Sequence, residues 1–83
     1  MLLEILTPTG KSYSGEAVGV QLPGLTGSFE VLNNHAPLVS ALKAGKLKIL
    51  LEKNQQSYFE IESGFVEVLN NKVTVMVEGS RAI

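Results

Sequence analysis

Apolar positions recur along the chain with period two, in short runs that are each closed by glycine, proline or asparagine. The run Leu2 to Leu6 reads as a first strand, stopped by the turn cluster Thr7-Pro8-Thr9-Gly10. Val18, Val20 and Leu22 alternate with Gly19 and Gln21, and Pro23-Gly24 is expected to end that strand. Phe29 and Val31 mark a brief strand before an Asn33-Asn34 corner. Leu47 and Ile49 alternate with Lys46 and Lys48, and Tyr58-Phe59-Glu60-Ile61-Glu62 alternates cleanly until Gly64, which signals a bulge or tight bend. The segments FVEVL and KVTVMV flank Asn70-Asn71, whose side chains tolerate positive φ, so a hairpin with a primed turn is predicted. Only Ala36 to Ala44 is ambiguous between helix and strand. Strands this short, with turn signals this frequent, predict an all-β sandwich or barrel.

Some runs break the alternation. Ile49-Leu50-Leu51, Phe65-Val66 and Val75-Met76-Val77 are apolar on both faces, where a strand with one solvated face reads apolar and polar in turn. Either strands cross between sheets at these places, or an outer face is covered by a partner.

Length and charge narrow the function classes. With 83 residues the chain makes one small domain, and it holds no cysteine for disulfides or thiolate metal sites. Seven Lys and Arg face eight acids, all of them glutamate, which gives a net charge of −1 and no basic footprint for nucleic acid. The start, Met1-Leu2-Leu3-Glu4, carries no basic region, and no apolar run is long enough to span a bilayer. The expectation is a soluble intracellular protein without direct membrane insertion.

Short motifs that suggest chemistry fail their own structural tests. Thr9-Gly10-Lys11-Ser12 resembles the tail of a phosphate-binding loop, but Ile5 stands where the first glycine belongs, and an extended segment follows instead of a helix. Gly24 and Gly27 have the spacing of a backbone-clamping GxxG loop without a basic residue inside, and read as a flexible loop whose glycines supply positive φ. His35 is the only histidine, with Glu30 its closest acid in sequence, so a triad lacks an evident orienting acid and a zinc site lacks further histidine or cysteine ligands. Glu60 and Glu62 share a strand face and read as a solvated stripe. Lys43, Lys46 and Lys48 read as a solvated face, with contact to an acidic partner or anionic membrane as the alternative.

In order along the chain, Leu22 to Ile49 (LPGLTGSFEVLNNHAPLVSALKAGKLKI) and Ser63 to Glu78 (SGFVEVLNNKVTVMVE) resemble the ATP synthase epsilon subunit. The His-Ala-Pro-Leu run, the glycine before the next strand and the final hairpin stand in the family's order and spacing. The resemblance runs from Leu2 to Glu78. It implies a flattened β-sandwich of two mainly antiparallel sheets with about ten short strands, over residues 1–78, with 79–83 as a short tail. It implies no catalysis, no cofactor and no metal. It also implies a central-stalk role, linking the gamma subunit to the c-ring and, indirectly, to the alpha/beta catalytic head. The site would be peripheral, on the cytoplasmic face of the bacterial inner membrane.

Carried over by position, the resemblance implies that Gly27, Ser28, Phe29, Glu30, Asn33, Asn34 and His35 face the c-ring, with Pro23, Gly24, Pro37 and Gly45 shaping the loop. Pro37 fixes a bend at little entropic cost, and His35 is expected to tie loop carbonyls together. The chain departs from the family at Ser28, where an acid is usual, at Glu30, where glycine is usual, and at Asn33-Asn34 in place of Pro-Gly. Many family members continue into a helical hairpin that regulates hydrolysis; a naturally short form is expected here. Two other readings stay open from the residues: a stand-alone sandwich that binds a peptide or sugar, and a small hydrolase using His35 with a glutamate.

Overall fold

Strands bury every second side chain where one face meets a core. A computed structural model describes residues 1–83 and places ten strands along them. In chain order they are β1 (Leu2–Thr7), β2 (Gly10–Glu16), β3 (Gly19–Gly24), β4 (Gly27–Leu32), β5 (Leu38–Leu42), β6 (Gly45–Leu50), β7 (Gln56–Ile61), β8 (Gly64–Leu69), β9 (Lys72–Val77) and β10 (Ser80–Ala82). Of these, β1, β6, β8 and β9 follow the rule, whereas β3 is buried along nearly its whole length. A single 3-10 turn, Glu52–Asn54, links β6 to β7. The ambiguous segment after Ala36 is a strand, and the residues after Glu78 add β10 to the edge of β7.

Hydrogen bonding runs in the order β10-β7-β6-β3-β5-β8-β9-β1-β2, with β4 on β3. The continuous order folds into two layers at β3. Gly19 to Gln21 pair with β6, whereas Gly24 pairs with Leu42 of β5. One layer is therefore β4-β3-β6-β7-β10 and the other β5-β8-β9-β1-β2. Every pairing is antiparallel except β1 with β9, which is parallel over Leu2 to Leu6. Between the layers lie Leu3, Ile5, Val20, Leu22, Val31, Leu42, Leu47, Ile49, Ile61, Val66, Val68, Val73 and Val75, all essentially inaccessible to solvent, and no polar side chain is buried with them. Tyr13 and Phe59 meet edge to face across the far side, with centroids 5.6 Å apart.

Pro23-Gly24 does not end β3, contrary to the sequence expectation; the turn comes one step later, at Leu25-Thr26. Proline is tolerated there because the ladder to β6 has already stopped at Gln21. Pro23 has no N–H to satisfy, and its carbonyl accepts a hydrogen bond from the Lys43 amide at 2.9 Å. Other turn signals act as read. Asn70 and Asn71 both sit at positive φ (50° and 60°), the geometry of a type I′ hairpin turn. Gly10 and Gly27, which follow the β1–β2 and β3–β4 turns, take φ of 135° and 143°, values that a side chain would strain. The tight bend is at Ser63, just before Gly64, while the bulge lies in the β1–β2 ladder between Ile5 and Leu6.

Two predictions come from this packing. A Cβ on Gly64 would run into the Met76 carbonyl oxygen and lie 2.7 Å from Val77 Cα, backbone that cannot move without opening the β8–β9 ladder. Gly64→Ala is expected to cost at least about 2 kcal/mol in urea unfolding, in the range of overpacked cores. Glu4, in the centre of the β1 outer face, accepts from Lys11 Nζ at 3.0 Å and pairs with Lys72 Nζ at 3.5 Å. The Lys11 hydrogen bond, helped by the two ammonium charges, holds its carboxyl below the ordinary glutamate value of 4.5. Glu4 thus ionises more readily in the fold than in the unfolded chain. Its contribution is fully present above the ordinary glutamate range and is lost as pH falls through the lower, folded value. Glu4→Gln is expected to remove that part of the acid dependence, so urea midpoints of the two proteins converge on acidification.

Candidate functional site

The two outer faces of the sandwich differ in chemistry, and the difference follows from register. On the layer that carries β6 and β7, the outward positions pair as Glu30–Gln21–Lys48–Tyr58 in one row and Lys46–Glu60–Arg81 in the next. Opposite charges stand side by side, and Lys46 Nζ lies 5.4 Å from the Tyr58 ring centroid. This face is solvated. Lys43 sits apart from Lys46 and Lys48, in the link after β5.

The other layer is built differently. Its register aligns Leu6 with Met76, Met76 with Phe65, and Phe65 with Ala41, so one row of the outer face is apolar across four strands. Phe65 is 56 % exposed and Met76 43 %. Val39 and Leu69, also exposed, extend the apolar surface on either side of Glu67. The next row, Ser14–Glu4–Thr74–Glu67–Val39, is polar at its centre. A depression of about 300 Å³ opens beside the apolar row, lined in part by Leu6, Pro8, Ser63, Phe65 and Met76. Large exposed apolar side chains gathered in this way mark a surface that another protein covers. The sequence held the signal, in the doubly apolar runs Phe65-Val66 and Val75-Met76-Val77; what it lacked was the register that sets Leu6, Met76 and Phe65 side by side.

The residues expected to form one ring-facing loop are divided by the fold. Connections alternate between the two ends of the sandwich. Pro23, Gly24, Gly27 and Gly45 lie at the end that holds the β3–β4 turn, where Leu25 is 62 % exposed. Ser28 is next to that turn, and Phe29 and Glu30 lie inside β4. Phe29 packs against the core, while Glu30 points outward beside Gln21. Asn33, Asn34, His35 and Pro37 lie at the opposite end, about 20 Å away along β4 at the usual rise per residue.

That second end is tied together by asparagines. The Met1 ammonium donates to Asn33 Oδ1 at 2.6 Å and to the Ala17 carbonyl at 3.0 Å. The Asn34 amide donates to Asn71 Oδ1 at 2.7 Å, which joins the β4–β5 link to the β8–β9 turn. His35 is exposed, and its Nδ1 lies 2.7 Å from the Ala36 carbonyl, a neighbour rather than an acid. No three His, Cys, Asp or Glu side chains come together as a metal site. The Gly10-Lys11-Ser12 stretch is extended in β2, and Gly24 and Gly27 flank a hairpin turn. The arrangement offers one apolar face and two ends closed by turns.

Comparison with known proteins gives the sandwich a family. The family described as ATP synthase, Delta/Epsilon chain, beta-sandwich domain matches residues 1–82. The ATP synthase epsilon chain of Chlorobium limicola is 43 % identical over 76 residues, which cover 92 % of this chain and 86 % of that protein. Two solved structures share the fold. One is a chain in the cryo-EM structure of the Euglena gracilis mitochondrial ATP synthase OSCP/F1/c-ring, with a TM-score of 0.92, 18 % identity, and coverage of 99 % of this chain and 52 % of that one. The other is a chain from the central stalk/c-ring of the Tetrahymena thermophila mitochondrial ATP synthase, with a TM-score of 0.80, 22 % identity, and coverage of 98 % and 65 %. With a family match over nearly its whole length and a close relative of similar extent, the chain belongs to the ATP synthase delta/epsilon family as its β-sandwich domain.

Proposed function

We propose that the chain is the non-catalytic epsilon subunit of a rotary ATP synthase, a central-stalk component that links the gamma subunit to the c-ring and so couples proton flow to ATP synthesis. The observation that carries this reading is the apolar row Leu6–Met76–Phe65–Ala41, which makes a docking face across four strands. Gamma packs on that face. Aromatic and methionine side chains at the centre of an interface supply much of its energy, and Glu67 and Glu4 form a polar border.

The c-ring then meets the end that carries the β3–β4 turn, through Leu25, Gly27 and Ser28. Their exposure on a stiff hairpin suits contact with a turning surface. Asn33, Asn34 and His35 lie too far off to share that contact, and in this reading they brace the opposite end. A stalk subunit transmits torque by shape, so rigidity matters more than a pocket. No helix of the chain is long and apolar enough to cross a membrane. The placement that suits these partners is peripheral, on the cytoplasmic face of a bacterial inner membrane.

Two substitutions separate the faces. Phe65→Ser is expected to weaken binding to a purified gamma–catalytic head complex by at least about tenfold, while changing stability by less than about 1 kcal/mol because the ring is half exposed. Tyr58→Ser, on the polar face, is expected to leave binding unchanged. Equal loss in both, or loss only with Tyr58→Ser, contradicts the assignment. At the other contact, Ser28→Trp is expected to lower ATP-driven proton pumping in reconstituted vesicles without lowering gamma affinity.

A further inference from the structure

A sandwich has open edges, and proteins protect them with charge, proline, bulges or shortness. Three of the four edges here are protected. β2 carries Lys11 and the bulge against β1, and it faces β10, to which Ser12 Oγ donates at 3.2 Å from Ser80 Oγ. β10 is three residues long. β5 is bounded by Pro37 and Lys43. The fourth, β4, has only one of these devices, the charge of Glu30. It pairs with β3 in unbroken register from Gly27 to Leu32, without lysine, arginine or proline.

The direction of its free backbone groups can be fixed. Asn33 donates to the Val18 carbonyl toward β4, and the Pro23 carbonyl accepts from Lys43 on the opposite side of β3. By the alternation of an antiparallel ladder, Phe29 and Val31 bond to β3, and Ser28, Glu30 and Leu32 point away from it. The Leu32 carbonyl is taken by the His35 amide at 3.2 Å. The amides of Ser28, Glu30 and Leu32 and the carbonyls of Ser28 and Glu30 remain without a protein partner. That is a template for one more strand.

We infer that β4 receives an extended segment of a partner protein, which pairs with it through the main chain. Side chains on the outer surface of β4 set its chemistry: a cationic residue opposite Glu30, and an apolar residue two positions along, beside the half-exposed Leu32. A second copy of this chain fits less well, because antiparallel self-pairing through the outward groups of Ser28, Glu30 and Leu32 sets Glu30 against Glu30. The inference rests on the stalk reading above, since the partner is a neighbour in that assembly, but it concerns an edge distinct from the apolar face.

The test is residue-resolved amide hydrogen exchange on the chain alone and on the chain assembled into the synthase. Strand addition predicts an alternating signature. The amides of Ser28, Glu30 and Leu32 exchange fast in the free chain and at least about tenfold more slowly in the assembly, while those of Phe29 and Val31 are slow in both. Glu30→Pro, which removes an outward amide and leaves the β3 ladder intact, is expected to weaken assembly about tenfold; Glu30→Gln, which keeps the amide, loses less. An assembled chain whose Ser28, Glu30 and Leu32 amides exchange as in the free chain overturns this inference and leaves the stalk function standing. A chain that fails to enter the synthase at all overturns both.

Discussion

The parallel pairing of β1 with β9 is the constraint on which the rest depends. It joins the first strand to the second-last one, Leu2 beside Lys72 through Leu6 beside Met76, and so closes a layer whose strands come from both ends of the chain. Without it the β1–β2 hairpin has no neighbour, and Leu3 and Ile5 have no opposite layer to enter. Its register also decides the surface. A shift by one residue would turn Leu3 and Ile5 outward and Leu2, Glu4 and Leu6 inward, because side chains alternate along a strand. Glu4 guards against this: its carboxylate needs Lys11 and Lys72 on the solvent side, and burial would strip it of both.

Much of this fold was legible in the sequence, because most of it rests on local signals. The alternation in Tyr58 to Ile61, the asparagine pair at the last hairpin and the glycines at positive φ are written into adjacent residues. What the sequence hid was non-local. The parallel β1–β9 contact spans nearly the whole chain, and no turn announces it. Pro23 misled because its effect depends on where β6 stops and β5 begins, a fact of sheet topology rather than of composition. Gly27 to Glu30 and Asn33 to His35 read as one loop because they are close in sequence. In the fold β4 holds Ser28, Phe29 and Glu30, and it carries the chain from Gly27 at one end of the sandwich to Asn33, Asn34 and His35 at the other.

Function follows from the same asymmetry. Short domains bury a limited share of their surface, and here one layer turns mainly polar and charged side chains outward, with Leu32 exposed at its edge, while the other exposes Phe65, Met76, Val39 and Leu69. The exposed set is a cost to the isolated domain and a benefit only when it is covered. Short turns at both ends and a core without a buried polar side chain suit a part that carries torque by keeping its shape.

The most direct test of this account is hydroxyl-radical footprinting of the chain, free and assembled in the synthase, with oxidation read at Phe65, Met76 and Tyr58. The account predicts that assembly shields Phe65 and Met76 strongly and leaves Tyr58 as reactive as in the free chain. Shielding of Tyr58, with Phe65 and Met76 still open to oxidation in the assembled enzyme, would contradict it.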